Sequence, residues 1–149
     1  MLFTADQLVA HAVGDYIIQS QWMSDHKRKN SVVAAIHAAT YTLPFVLLTT
    51  RWEALAAICI THFLVDRFGL ARFLVWLKNW PFVYDRREVQ AFDIDDPDRT
   101  VPQWAWHMKP ITATGYPDRV PPHIRDWLLI IADNIIHVIC NALAIAVLG

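Results

Sequence analysis

The chain has 149 residues, 55% of them hydrophobic, with seven Trp, only four Gly and a formal net charge of −1. The length is that of one domain, and the near-neutral charge gives no basis for nucleic-acid binding. Cys59 and Cys140 both lie in apolar stretches, which excludes a CxxC motif and a disulfide framework.

The first helix is predicted over about residues 4–23. Its opening, MLFTADQLVAHAVGDYIIQSQWM, has no basic leader and sets Asp6, His11 and Asp15 where a cleavable signal is uniformly apolar. A basic turn with Lys27, Arg28 and Lys29 follows. The second helix is predicted over about 31–50, with a kink at Pro44. The third, over about 52–80, is mostly apolar to Val65; Arg67, Arg72 and Lys78 then mark an amphipathic, interfacial extension. The fourth is predicted over about 124–148. Its apolar run from Trp127 to Leu148 extends about 33 Å at a helical rise of about 1.5 Å, enough to cross a bilayer. The insert at 81–123 holds seven of the eight prolines and the run DRREVQAFDIDDPDRT, which predicts a polar loop or small cap. The expected architecture is therefore all-α. It is a single membrane domain over 1–149, a polytopic four-helix bundle with a polar, Pro-rich insert between helices 3 and 4. The mean hydropathy of +0.27 is modest because that insert dilutes it.

Charge orients this arrangement. Twelve of the 13 basic residues share one side if both termini face the other, and the positive-inside rule makes that side cytoplasmic. The long insert weighs less in this count, because long loops translocate with less regard to charge. Trp22, Trp52 and Trp127 sit at predicted helix ends, as interfacial anchors do.

Three of the apolar stretches carry a histidine and an aspartate four residues apart: His11/Asp15, His62/Asp66 and Asp133/His137. That spacing sets both side chains on one helix face, one turn apart. An aspartate at mid-membrane costs about 2.5–3.5 kcal/mol on insertion scales, so three must be offset by one another, by protons or by a metal. Antiparallel helices bring these pairs and the lone His37 to similar depth. Imidazole and carboxylate suit zinc, manganese, iron or nickel, and the lack of paired thiolates argues against a structural thiolate site. The candidate ligands are His11, Asp15, His37, His62, Asp66, Asp133 and His137. Seven exceed one tetrahedral ion, so either two ions bind or some residues orient ligands or carry protons; Asp15, Asp66 and Asp133 are the acid/base candidates. Gln19, Asn134 and Asn141 extend the same faces and can hydrogen-bond the ligands.

Blander readings compete. His37 alone would be a packed, hydrogen-bonded histidine, and the pairs together could be interhelical polar glue. His26 reads as solvated and Cys59 as core. His107 and His123 could lid the site. Lys27 to Lys29 read as a topology signal that can also meet lipid phosphate. Asp93, Asp95, Asp96 and Asp98 resemble a calcium loop without its glycine turn or terminal glutamate, and read as a solvated loop. Soluble HD-type phosphohydrolases use an adjacent His-Asp dipeptide, which this chain lacks.

The stretch HAVGDYIIQSQWMSDHKRKNSVVAAIHAATY resembles the opening of bacterial and phage membrane proteins grouped as domain of unknown function 3307. The matching positions are His11, Asp15, Gln19, Trp22, Met23, Lys27 and His37. The third-helix motif is met by Thr61-His62-Phe63-Leu64-Val65-Asp66. The last-helix Asp-Gln and later His are met by Asp133-Asn134 and His137, with the amide shortened. The likeness covers about 1–80 and 124–149, and the insert looks like that of the phage branch. It implies a bacterial inner-membrane bundle and the His/Asp set, but no activity; the charge bias is what sets the termini periplasmic and the insert cytoplasmic. Three functions follow as expectations. The first is a metal-dependent hydrolase acting on a lipid or lipid-linked substrate from the inner leaflet. The second is an ion- or proton-translocating protein, which needs a polar path on both sides of the site. The third is a non-enzymatic phage membrane factor that depends on the insert. Pairing into a homo-oligomer is compatible with each.

Overall fold

The computed structural model describes residues 2–79, 85–90, 100–105, 114–116 and 120–149. The expectations for His107 and for the aspartates at 93, 95, 96 and 98 fall outside them. The single domain expected over 1–149 divides into two compact units, Met1–Ala71 with Ile131–Gly149, and Arg72–Ile130.

The first unit is helical, as expected, but its helices are more broken than the apolar periodicity implies. Thr4 caps α1 (Ala5–Ala12), its hydroxyl accepting from the Gln7 amide at 3.3 Å. The chain then widens into a π-helical segment, Val13–Ile18, that carries Asp15. Gln19 turns extended, and Ser20 caps α2 (Gln21–His26). The continuous helix expected over 4–23 is thus three pieces. Side-chain periodicity does not report which carbonyl each amide chooses, and π-turns of this kind recur at functional sites.

Asn30 starts α3 (Ser31–Thr42) by accepting from Val32 N at 2.9 Å and Val33 N at 3.4 Å. Pro44 has no amide hydrogen to continue the ladder, so the chain tightens into a 3₁₀ turn, Leu43–Leu47. The α4 helix (Trp52–Phe68) ends at Gly69, whose φ of 59° is the left-handed cap that glycine adopts at little cost. A new helix, α5 (Leu70–Asn79), begins there, so the helix expected over 52–80 is two. The last helix, α6, runs Pro122–Leu148.

Length separates these helices. Ser31–Leu47 and Trp52–Phe68 each reach about 26 Å at about 1.5 Å per residue, short of a bilayer core of about 30 Å. Among the described residues, α6 alone is long and apolar enough by itself to cross a membrane, and only 22% of its apolar stretch is buried inside the molecule. Trp22, Trp52 and Trp127 are all exposed, as anchors at an interface would be.

The interior of the first unit is small-residue packing around a few rings. Ala10, Tyr41, Phe45, Ile58 and Ala144 form the apolar cluster, with Leu48, Leu55, Ala57 and Ile145 against it. Beside it His37, His62, His137 and Asn141 are among the largest fully buried side chains. Many large apolar side chains are exposed, including Val9, Ile17, Val32, Leu47, Ile60, Ile135 and Val147. A buried polar group thus sits beside an apolar core.

In the second unit, the insert expected as a polar loop or small cap contains an antiparallel ribbon. Strand β1 (Asp85–Gln90) pairs with β2 (Thr100–Ala105), Asp85 opposite Ala105 and Gln90 opposite Thr100. Pro102 falls inside β2, which a two-stranded ribbon tolerates because every strand is an edge. Gly115, with φ of 77°, lies against the α5 backbone, where a Cβ would strike the Arg72 carbonyl. Lys78 Nζ donates to the Tyr116 hydroxyl at 2.9 Å, fastening that turn to α5.

Candidate metal centre

The three sequence pairs all meet within their own helices. His11 Nδ1 lies 3.4 Å from Asp15 Oδ2, His62 Nε2 3.1 Å from Asp66 Oδ2, and His137 Nε2 3.5 Å from Asp133 Oδ2. The helices then bring the pairs to one another. Asp66 is the hub: its Oδ2 is 3.1 Å from His37 Nε2, and its Oδ1 is 3.5 Å from His137 Nε2. Asp15 Oδ1 approaches His37 Nε2 at 3.3 Å and His62 Nε2 at 3.5 Å. His37 Nε2 and His62 Nε2 face each other at 2.9 Å.

Most of these contacts are the edges of a donor cluster rather than hydrogen bonds. Asp66 Oδ2 is ion-paired with Lys27 Nζ at 2.9 Å, whereas Asp15 Oδ1 and His137 Nε2 are buried and have no aligned hydrogen-bond partner. Leaving such an atom unsatisfied costs about 1–3 kcal/mol, and more for a charged group. Tetrahedral ligands about 2.0–2.2 Å from zinc stand about 3.3–3.6 Å from one another, close to the spacings seen here. Three ligand triads form: Asp15, His62 and His137; His37, His62 and Asp66; and Asp66, Asp133 and His137. They share His62, Asp66 and His137, so the six residues make one connected cluster. Asp66 is almost wholly buried, whereas the Asp133 side chain is 27% exposed and marks the rim.

His11 departs from its expected role as a ligand. Its Nδ1 meets the Tyr41 hydroxyl at 2.8 Å and its Nε2 meets Asn134 Oδ1 at 2.8 Å. Both ring nitrogens are engaged, and His11 belongs to none of the triads among the described residues. It stands beside the cluster and fixes Tyr41. The amides expected to support the ligands do so at one remove. Asn141 Nδ2 donates to the Tyr41 hydroxyl at 2.6 Å, and Gln19 Oε1 accepts from Lys27 Nζ at 2.8 Å. Of the remaining candidates, His26 stacks on Trp22 at the exposed surface, His123 is exposed in the first turn of α6, and Cys59 joins no triad.

Two residues of the site were not singled out for it by spacing. Tyr41 lies one turn beyond His37 on α3, fully buried, its ring stacked on His62 with centroids 3.5 Å apart. That position on the His37 face was the available signal. Lys27 reaches in from the basic turn, its Nζ 2.9 Å from Asp66 Oδ2 and 3.5 Å from His37 Nε2. A turn lysine beside Arg28 and Lys29 reads as surface charge, and only the fold selects the one that points inward.

Replacing Tyr41 by Phe keeps the stack and removes the hydroxyl that His11 Nδ1 and Asn141 Nδ2 share. We expect a loss of about 1–3 kcal/mol in chemical denaturation, because a buried donor on Asn141 and a buried acceptor on His11 are left unpaired, with metal uptake retained. Denaturation indistinguishable from wild type would refute this role.

The family model described as protein of unknown function (DUF3307) matches residues 2–95. That segment holds Asp15, Lys27, His37, Tyr41, His62 and Asp66, whereas Asp133 and His137 lie beyond it. No curated protein and no solved structure matches the chain.

Proposed function

Because the chain belongs to the DUF3307 family, whose description assigns no activity, we propose its function from the site: a membrane-integral, metal-dependent hydrolase. The observation that carries the reading is the convergence of Asp15 Oδ1 and His137 Nε2, buried and without aligned partners, with His37, His62 and the Lys27-paired Asp66 carboxylate. A buried cluster of acceptors is offset by a cation held among them. His37, His62, Asp66, Asp15 and His137 would hold a divalent ion of the zinc, manganese, iron or nickel class. Such an ion supplies Lewis acidity and makes water a stronger acid.

The chain's own residues then divide the work. Asp133, the most exposed carboxylate of the three, takes the proton of the attacking water as that oxygen bonds to the ester's electrophilic atom. The bond to the leaving oxygen breaks, and Asp133 returns the proton to it. Tyr41, held by His11 and Asn141, keeps His62 oriented. The exposed apolar side chains and the length of α6 support a place in lipid for the bundle, anchored by α6, with a lipid or lipid-linked ester as substrate.

The test is metal content and its linkage to stability. Purified protein is expected to carry a stoichiometric divalent ion by elemental analysis. Ion at about 100 times its dissociation constant should add about 2.7 kcal/mol of stability, and chelator should remove it. Uptake should fall as pH drops from about 7.5 to about 5, since protons compete for the histidines. Protein free of metal, with a melting curve indifferent to ion and chelator, would sink the reading.

A further inference from the structure

The basic turn contributes one residue that the metal reading leaves unused. Lys27 Nζ touches Asp66 Oδ2 at 2.9 Å and approaches His37 Nε2 at 3.5 Å, so it contacts two donor atoms of the cluster. Gln19 Oε1 holds it from behind at 2.8 Å. Its side chain is 16% exposed, between the buried ligands and the open turn where Arg28 and Lys29 are exposed. That turn is itself pinned: Arg67 Nη1 donates to the Arg28 carbonyl at 2.6 Å and Arg67 Nε to Ser31 Oγ at 2.9 Å. Lys27 is thus anchored at both its backbone and its head.

Charge bookkeeping gives this position a meaning. Asp15, Asp66 and Asp133 set three negative charges against the single charge of Lys27, and one divalent ion with neutral histidines completes the balance. A second divalent ion would leave an excess of positive charge, whereas the ammonium already supplies one cation at the Asp66 carboxylate. Two-metal hydrolases place two cations on a shared carboxylate and clamp the reacting group between them. Here Asp66 turns Oδ1 toward His137 and Oδ2 toward His37, His62 and Lys27, so the histidine donors and the ammonium meet on one carboxylate.

Resting on the metal reading, we propose that Lys27 is the second cation of a one-metal site, and that ion and ammonium together bind a phosphoryl group. A carboxylic ester is neutral and gains little from a second cation, whereas a phosphoester brings negative oxygens that need neutralising. Lysine serves phosphate as a point charge, and Arg28 and Lys29 add positive potential at the approach. The phosphoryl group can belong to a lipid headgroup or to a soluble phosphoester.

The experiment uses full-length protein in detergent, loaded with Mn²⁺. Elemental analysis is expected to give one ion per chain, and calorimetric titration with inorganic phosphate a saturable site. Lys27→Met should keep the ion and lose about tenfold or more in phosphate affinity, the worth of one charge-assisted hydrogen bond. Lys27→Arg should restore most of it, which a merely structural lysine would not require. Mixed micelles with and without phosphatidate separate the sources: Lys27-dependent retention of phosphatidate assigns a lipid phosphate, and binding of inorganic phosphate alone assigns a soluble one. Two ions per wild-type chain, no phosphate binding by loaded protein, or Lys27→Met binding phosphate like wild type would each overturn the proposal. Wild-type protein that takes no ion instead overturns the metal reading beneath it. If Lys27→Met does not fold, the wild-type ion count and the Lys27→Arg titration still decide.

Discussion

Asp66→Asn is expected to abolish metal uptake and to destabilise the protein by about 3–5 kcal/mol, the cost of breaking a buried ion pair from one side. The substitution keeps the side chain's shape and removes its charge. Lys27 then loses its ionic partner at 2.9 Å, and His37, His62 and His137 lose the carboxylate around which they gather. Asp133→Asn is the internal comparison. Its side chain is 27% exposed and contacts His137 alone within the cluster, so solvent screens what is lost and less than about 1 kcal/mol is expected. Metal analysis and chemical denaturation of both variants check the ranking. Wild-type metal content in Asp66→Asn, or equal damage from the two, would remove Asp66 from the centre of the site.

Gly14→Ala is expected to cost about 1–3 kcal/mol, toward the upper end, and to lower metal affinity although no ligand is touched. An added Cβ would lie 2.5 Å from Tyr41 Cδ2 and 3.0 Å from the Tyr41 carbonyl oxygen. Relief is blocked on the far side, because the Tyr41 ring is fully buried and stacked on His62. Its hydroxyl is held by His11 and Asn141 as well. The strain therefore passes to His62. The double variant Gly14→Ala/Tyr41→Ala should be less damaged than the two singles summed, with a coupling of about 0.5–3 kcal/mol. Strict additivity would show that the two residues do not press on each other.

Part of the candidate site could be read directly from the chain. A histidine and an aspartate at a spacing of four must share a helix face, so each of the three pairs meets in the structure as spacing required. Similar depth in antiparallel helices also brought His37 to the same place. What spacing could not tell was rotation about each helix. His11 satisfies the same pattern as His62, yet its ring nitrogens go to Tyr41 and Asn134. Asp15, its partner in the pair, lies in the π-helical segment Val13–Ile18 and does join the cluster.

Helix boundaries failed for a related reason. Apolar residues continue through Gly69, so the sequence reads one helix where a left-handed cap makes two. Ser20 and Asn30 carried usable capping signals. The ribbon in the insert was hidden by composition, since proline and charge argue against strands without forbidding a two-stranded one.

By itself, the sequence determined that ionisable side chains would line one face of each apolar helix, because periodicity is a property of the local backbone. It also determined the family to which the chain belongs. Tertiary structure alone decided which of those side chains share atoms: Asp66 at the hub, His11 to one side, Tyr41 against His62, and Lys27 turned inward from a basic turn. Those choices depend on helix rotation, on the π-turn and on close approach at Gly14, each set by packing between segments distant in the chain.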